Sequence, residues 1–300
     1  MTQPCTPNIA TGCSRWVLAM RPKTLPAGAV PVLVGAIMAF EVTTPSPFTI
    51  GLILLSALAI QIATNLANDL CDFKSGADSS SRTGPLRVTQ AGLVTESEMK
   101  LAIALVVLFA LLCGIPLVFI GGLPILLIGL LSILCALGYT AGPYPLAYTG
   151  LGDLFVLIFF GPVAVGGTHY ILTHNVTMPV LLIGLAVGMI STAILVVNNL
   201  RDYNSDKQCG KLTLAVKFGK SFSKAEYCFL LCGAALIPLG MLLFESQHSW
   251  IGLAALFLIP ASKTMQQVIC EEDPEVLNDV LADTGKLLVI FGCLFSIGWL

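Results

Sequence analysis

Charge is what this 300-residue sequence has least of: 11% of it is Asp, Glu, Lys or Arg, against about a quarter in soluble domains. That shortage excludes an ordinary water-facing surface over most of the chain. A basic excess is lacking too. Fifteen Lys and Arg meet seventeen Asp and Glu, for a formal net charge of −2, so nothing points to nucleic acid. There are three histidines, and the ten cysteines are scattered, several inside apolar runs, with no Cys-x2-Cys pair. This argues against a disulfide framework or a thiolate zinc site, and the cysteines read as small apolar side chains. A cleavable leader is not expected either. The first apolar run follows Arg21 and Lys23, is long enough to span a bilayer, and has no clear cleavage site.

What is there is apolar: 56% of the residues are hydrophobic and the mean hydropathy is +0.90. The chain reads as an all-α, polytopic membrane protein, one domain over residues 1–300 with a disordered tail over 1–14. Spans are expected at roughly 25–41, 48–70, 100–120, 124–140, 151–170, 178–199, 225–244, 249–268 and 286–300. A tight Gly121-Gly122-Leu123-Pro124 turn joins the third to the fourth, and the last is the shortest. Threading nine spans from a cytoplasmic N-terminus puts all fifteen Lys and Arg, from Arg15 to Lys286, on the cytoplasmic side. Glu41, Glu245 and the three histidines fall outside. The expected location is therefore the cell inner (cytoplasmic) membrane.

Two polar clusters interrupt this pattern. Asn65, Asn68, Asp69 and Asp72, followed by Gly76 and Asp78, close the second span. Asn198, Asn199, Asp202 and Asp206, followed by Gly210, close the sixth. In that threading both lie at cytoplasmic ends and face one mouth, each followed by a long cytoplasmic loop. Their loose alignment suggests a duplication of two halves. If each helix continues through its motif, Asn65 and Asp69 are i, i+4, as are Asn68 and Asp72, while Asn198, Asp202 and Asp206 recur every four residues on one face. Carboxylates at such spacing repel unless a cation lies between them. Hard carboxylate and amide oxygens suit Mg²⁺, which commonly binds through one or two carboxylates plus substrate phosphates. The expected ligands are Asn65, Asp69, Asp72, Asp202 and Asp206, around two Mg²⁺ ions bridged by a diphosphate. Arg87 and Lys211, beside motif glycines, are expected to neutralise the diphosphate as it leaves, with Arg201 among the basic residues around them. Solvated helix ends with ordinary polar caps are the alternative for a single cluster. Two matched clusters on one side weigh against it.

The run Asn65-x2-Asn68-Asp69-x2-Asp72-x3-Gly76-x-Asp78 resembles the first aspartate motif of the UbiA superfamily of intramembrane prenyltransferases, and Asp202-x3-Asp206 resembles the second. Arg21-Pro-Lys-Thr-Leu-Pro26, Gly84-Pro-Leu-Arg87, Leu151-Gly-Asp153 and the segment from Asn198 to Gly219 resemble its menaquinone-pathway branch, and the similarity runs from about residue 15 to the C-terminus. The loop after the fourth span, with Tyr139, Tyr144 and Tyr148, lacks the basic residue expected of the hydroxybenzoate branch.

The resemblance implies a nine-helix bundle around a cavity open to the cytoplasm and to lipid. It implies a Mg²⁺-dependent transfer of a polyprenyl group from its diphosphate to 1,4-dihydroxy-2-naphthoate, with loss of diphosphate and CO₂, giving demethylmenaquinone. In that setting Asn68, Asp78, Asn198, Asn199 and Arg201 would surround the substrate. Arg21 and Lys23 would bind the naphthoate carboxylate, or serve only as a positive-inside flank. Tyr139 would face the allylic cation, or belong to an aromatic belt. Asp153 would anchor a loop or orient the acceptor. Two other readings compete. One is a transferase of the same family acting on 4-hydroxybenzoate, a chlorophyllide or haem. The other is a cation-coupled transporter, which intramembrane carboxylates and a possible repeat also fit.

Overall fold

The computed structural model describes residues 13–75, 87–140, 145–245 and 247–300, so the expectations for the tail up to residue 12 and for Gly76, Asp78, Gly84 and Tyr144 lie outside the described residues. Every element among the described residues is helical. A short amphipathic helix α1 (Cys13–Met20) and a 3-10 turn (Pro22–Thr24) lead into α2 (Pro26–Ala39), with a bend of 54° between the two. Helix α1 precedes the first expected span and was not expected as an element. It is held by Arg15, which donates to the Leu93 carbonyl at 2.8 Å and pairs with Glu98 at 3.4 Å.

Helix α3 (Pro47–Ser75) starts on a proline, whose missing N–H costs nothing in the first turn. Its 29 residues reach about 43 Å, so the last turns project past a hydrocarbon core of about 30 Å. The first polar cluster rides on those turns. Helix α4 (Glu96–Gly138) is opened by a capping box between Thr95 and Glu98. A straight run of 43 residues would be about 65 Å long, twice the bilayer core. It is not straight. Gly122 has φ 69° and ψ −154°, a conformation open to glycine. Met99 packs with Leu66 and Leu70, and Thr140 bonds Asn68, so both ends of α4 lie beside the same end of α3. The chain reverses at the expected Gly121-Gly122 turn. By length and composition, seven helices among the described residues can cross a membrane, or eight with the bent α1–α2 pair. A count of nine requires the two arms of α4 to be taken separately.

Short α5 (Leu146–Thr149) precedes α6 (Gly152–Ile158), one π-turn over Phe159–Val163 and α7 (Ala164–Thr173), which together fill the expected fifth span. Pro162 lies inside the π-turn, which is where the i→i−4 ladder breaks. Helix α8 (Met178–Arg201) is the axis of the bundle: over its most apolar stretch 78% is buried, against 17% for α4. It reaches the π-turn closely because a side chain on Gly161 would stand 2.6 Å from the Gly184 carbonyl oxygen.

Helix α9 (Tyr203–Gln208) and α10 (Leu214–Phe218) occupy the loop expected over 203–224, and α11 (Lys220–Met241) returns through the bundle. A 3-10 stretch (Ile251–Phe257) continues as α12 (Leu258–Cys270), and α13 (Pro274–Trp299) closes the chain. The expectation for the last span needs correction: α13 begins twelve residues before position 286 and is 26 residues long. Charges at Glu275, Asp279, Asp283 and Lys286 hid its first half, but Leu277, Val280, Leu281 and Thr284 are buried there at helical spacing. Asp273 caps it by accepting from the Glu275 N–H. The Tyr227 hydroxyl bonds Thr264 at 2.9 Å and Thr284 at 2.8 Å, tying α11, α12 and α13 together.

Candidate active site

The first cluster lies on uninterrupted helix, as the spacing required, and its four side chains reach three neighbours. Asn65 donates to the Met20 carbonyl at 2.9 Å and to Thr24 at 3.0 Å, bracing the bend before α2. Asn68 accepts from the Thr140 hydroxyl at 2.8 Å, at the end of α4. Asp69 is buried and accepts the backbone N–H groups of Val88 and Thr89 at 3.2 and 3.1 Å. Asp72 pairs with Arg87 at 2.6 Å, with side chains only 6% and 7% exposed.

The second cluster differs from its expected geometry. Helix α8 stops at Arg201, and Asp202 (φ −88°, ψ 7°) is the joint to α9. The Ser205 hydroxyl donates to the Asp202 carbonyl at 2.8 Å, a local bond that competes with helix propagation. Backbone bonds from Asp202 to Asn198 and from Asp206 to Asp202 still cross the joint. Arg201 grips both oxygens of Asp202 at 2.8 and 2.7 Å. Its Nη2 also donates to Asn198 and its remaining Nη1 to Asn278, each at 2.8 Å. Asp206 faces Lys211 at 3.7 Å, and Lys211 also stands over the Tyr148 ring, 5.8 Å from its centroid. Burial pulls the Lys211 amine below its ordinary range, but the carboxylates of Asp206, Asp72 and Asp202 more than reverse this, so it is raised.

Both clusters border one cavity of about 550 Å³. Its polar end holds Asn65, Asn68, Asp72 and Arg87 from the first cluster and its turn. Opposite them are Asn198, Asn199, Asp202 and Lys211, with Arg21 at the side. The rest is an apolar channel between α3, the two arms of α4, the α6–α7 segment and α8, walled by residues such as Ile115, Val118, Ile128 and Phe159. Tyr139 lines it where polar meets apolar. Five expected residues are not in the wall. Asp69 is turned to the 88–89 backbone, Asp206 to Lys211, and Arg201 stands behind Asp202. Asp153 is buried in the first turn of α6, and Lys23 faces a different groove.

Three groups at the site were not singled out by the sequence. Thr24 entered only within the Arg21–Pro26 motif, Thr140 is a single hydroxyl at the end of an apolar run, and Asn278 lies among the charges before position 286. Only the fold shows that Asn278 buttresses Arg201 from 77 positions away.

The donors at the polar end are carboxylate and amide oxygens, the chemistry that Mg²⁺ selects, so the residues present fit that ion. Among the described residues no three His, Cys, Asp or Glu side chains converge tightly enough to hold a metal by themselves. An ion here needs amide oxygens or ligand phosphates to complete its shell.

A helical membrane bundle whose single long apolar channel ends in paired carboxylates and cations is built to take a lipid by its charged head. The UbiA prenyltransferase family matches residues 28–276. The chain is 38% identical to 1,4-dihydroxy-2-naphthoate octaprenyltransferase of Escherichia coli (strain K12), covering 94% of each. It is 35% identical to the Haemophilus influenzae enzyme of that name, covering 95% of each. The structure of a UbiA homologue from Archaeoglobus fulgidus bound to GPP and Mg²⁺ matches 95% of this chain and 99% of that one, with TM-score 0.68 at 17% identity. An apo homologue from Aeropyrum pernix K1 gives 0.69 at 15% identity, over 94% of this chain and 99% of that one. The chain belongs to the UbiA prenyltransferase family.

Proposed function

We propose that this protein transfers a polyprenyl group from polyprenyl diphosphate to 1,4-dihydroxy-2-naphthoate in the cytoplasmic membrane, with its N-terminus and polar mouth on the cytoplasmic side. The observation that carries the reading is the single cavity in which both polar clusters meet above an apolar channel. The full-length similarity to relatives named for that acceptor supports the branch. The one-sided distribution of Lys and Arg supports the orientation.

The apolar channel holds the prenyl tail and keeps water from the reacting carbon. Arg87 and Lys211 stand on opposite sides of the polar end and receive the diphosphate as its charge grows. Asp72 and Asp202, with the amide oxygens of Asn65, Asn68 and Asn198, would hold Mg²⁺. When bound, the ion would neutralise diphosphate oxygens as the leaving group departs. Arg201 and Asn278 fix the direction of Asp202, and Asp69 fixes the turn that carries Arg87. The allylic C–O bond breaks with its electron pair going to diphosphate. The naphthoate carbon bearing the carboxylate attacks the allylic carbon, while Arg21 holds the carboxylate and Tyr139 presents its ring. Loss of CO₂ returns the electrons to the ring and leaves the prenylated naphthalenediol, the reduced form of demethylmenaquinone.

The test is transfer by purified protein in nanodiscs, read by mass spectrometry. Prenylated naphthoquinol that depends on 1,4-dihydroxy-2-naphthoate and disappears with EDTA is expected. Transfer to 4-hydroxybenzoate instead would move the acceptor within the family, and no transfer to any aromatic acceptor would refute the reading.

A further inference from the structure

A second groove, on the outside of the bundle, carries chemistry that prenyl transfer does not use. It lies between the start of α2, α12 and α13, encloses about 540 Å³, and is lined by Lys23, Lys263, Lys286, Gln267, Asp279 and Asp283. The three helices share one depth. At their far ends His248 pairs with Glu41 at 3.3 Å and bonds the Trp299 carbonyl at 2.7 Å, so those ends stand together. At the near ends Gly285 abuts the Lys23 carbonyl, where an added side chain would stand 2.9 Å away. Counting back along each helix puts all three lysines about 20–25 Å from the far ends. Extended stems would carry the ammonium groups toward the lipid headgroups on that side.

The charges do not cancel. Lys286 is committed to Asp283 at 2.7 Å. Lys23 and Lys263 make no ion pair among the described residues, and Asp279 offsets one of them, which leaves one positive charge. Gln267 adds a buried amide oxygen with no hydrogen-bond partner among the described residues, an acceptor waiting for a donor. Below the lysines the surface turns aliphatic. Ile259, one turn from Lys263, is 71% exposed, and Val289, one turn from Lys286, is 40% exposed.

We propose that this groove is a binding site for an anionic glycerophospholipid of the phosphatidylglycerol type. Its phosphodiester matches the uncompensated charge between Lys23 and Lys263. A headgroup hydroxyl donates to Gln267, and the acyl chains lie over Ile259 and Val289. A basic pocket between membrane helices with an apolar skirt selects a lipid phosphate over a soluble one, because only the lipid covers the aliphatic surface. The site stands apart from the prenyl-transfer cavity and does not depend on the reaction assigned there.

Delipidated full-length protein in detergent, loaded with phosphatidylglycerol or phosphatidylcholine and weighed by native mass spectrometry, tests this. One retained phosphatidylglycerol and no retained phosphatidylcholine are expected. Lys263→Ala should weaken retention about fivefold, and Lys263→Arg should restore it. Lys220→Ala, which removes an equal charge outside the groove, should leave retention unchanged. Gln267→Leu should reduce the preference for phosphatidylglycerol. Equal retention of both lipids, identical loss in Lys263→Ala and Lys220→Ala, or displacement by millimolar glycerol 3-phosphate would overturn the proposal.

Discussion

Replacing Arg87 by Met should unsettle the protein more through what it leaves behind than through what it removes. The guanidinium stands 2.6 Å from Asp72, and both side chains are more than nine-tenths buried. Two unit charges at that distance attract by about 6 kcal/mol at an effective dielectric constant of 20, most of which is offset by desolvation. Removing one partner strands the other, at a cost of about 3–5 kcal/mol. The polar cavity beside Asp72 admits water, so the lower end of that range applies. Arg87→Met should therefore lower the unfolding midpoint in an SDS or thermal titration by an amount equivalent to about 3 kcal/mol. Asp72→Asn alone should cost less, because the amide oxygen still accepts a hydrogen bond from the guanidinium. The double variant should cost less than the sum of the two single variants, giving a coupling energy near 2 kcal/mol in a double-mutant cycle. Prenyl transfer should fall at least a hundredfold in all three, since the same groups face the diphosphate. Additive stability losses, with coupling under about 0.5 kcal/mol, would refute the argument that the two charges stabilise one another.

Three further outcomes follow from the same geometry. Asp69→Ala removes the acceptor for the Val88 and Thr89 N–H groups, so both amides should exchange faster with deuterium, by about 1–3 kcal/mol of lost protection. An Asp69 that served only as a metal ligand would leave that exchange untouched without metal. Gly161→Ala drives a methyl against the Gly184 carbonyl and should cost about 1–3 kcal/mol, visible as lower yield of monodisperse protein. For Lys211 the folded amine is raised above its ordinary value of 10.5, so its stabilising contribution is complete below that pH and is lost only as pH rises beyond it. Activity between pH 7 and 9 should then show no step that disappears in Lys211→Gln.

The sequence by itself determined the class. Scarce charge and long apolar runs leave helices as the workable way to satisfy backbone groups in lipid, and the spacing of Asn65, Asn68, Asp69 and Asp72 places them on one side of α3 whatever the rest does. The Gly121-Gly122 reversal was legible for the same reason, since local backbone chemistry decides it. What only the tertiary structure decided is which way each polar side chain is engaged. Asp69 and Asp72 are three residues apart and chemically alike, yet one caps a backbone turn and the other faces the cavity, because the 87–89 segment meets Asp69 with its backbone N–H groups and Asp72 with the Arg87 side chain. Asp202 stands at a helix joint because Arg201 and Ser205 hold it there, and Asn278 matters because α13 packs against α8. Lys23 follows Arg21 by two positions, but the bend before α2 sends Arg21 into the channel and Lys23 to the outer groove. Helix periodicity is written in the chain, because neighbours along the backbone enforce it. The partners of a buried charge are set by segments far apart in sequence, and they meet only when the bundle closes.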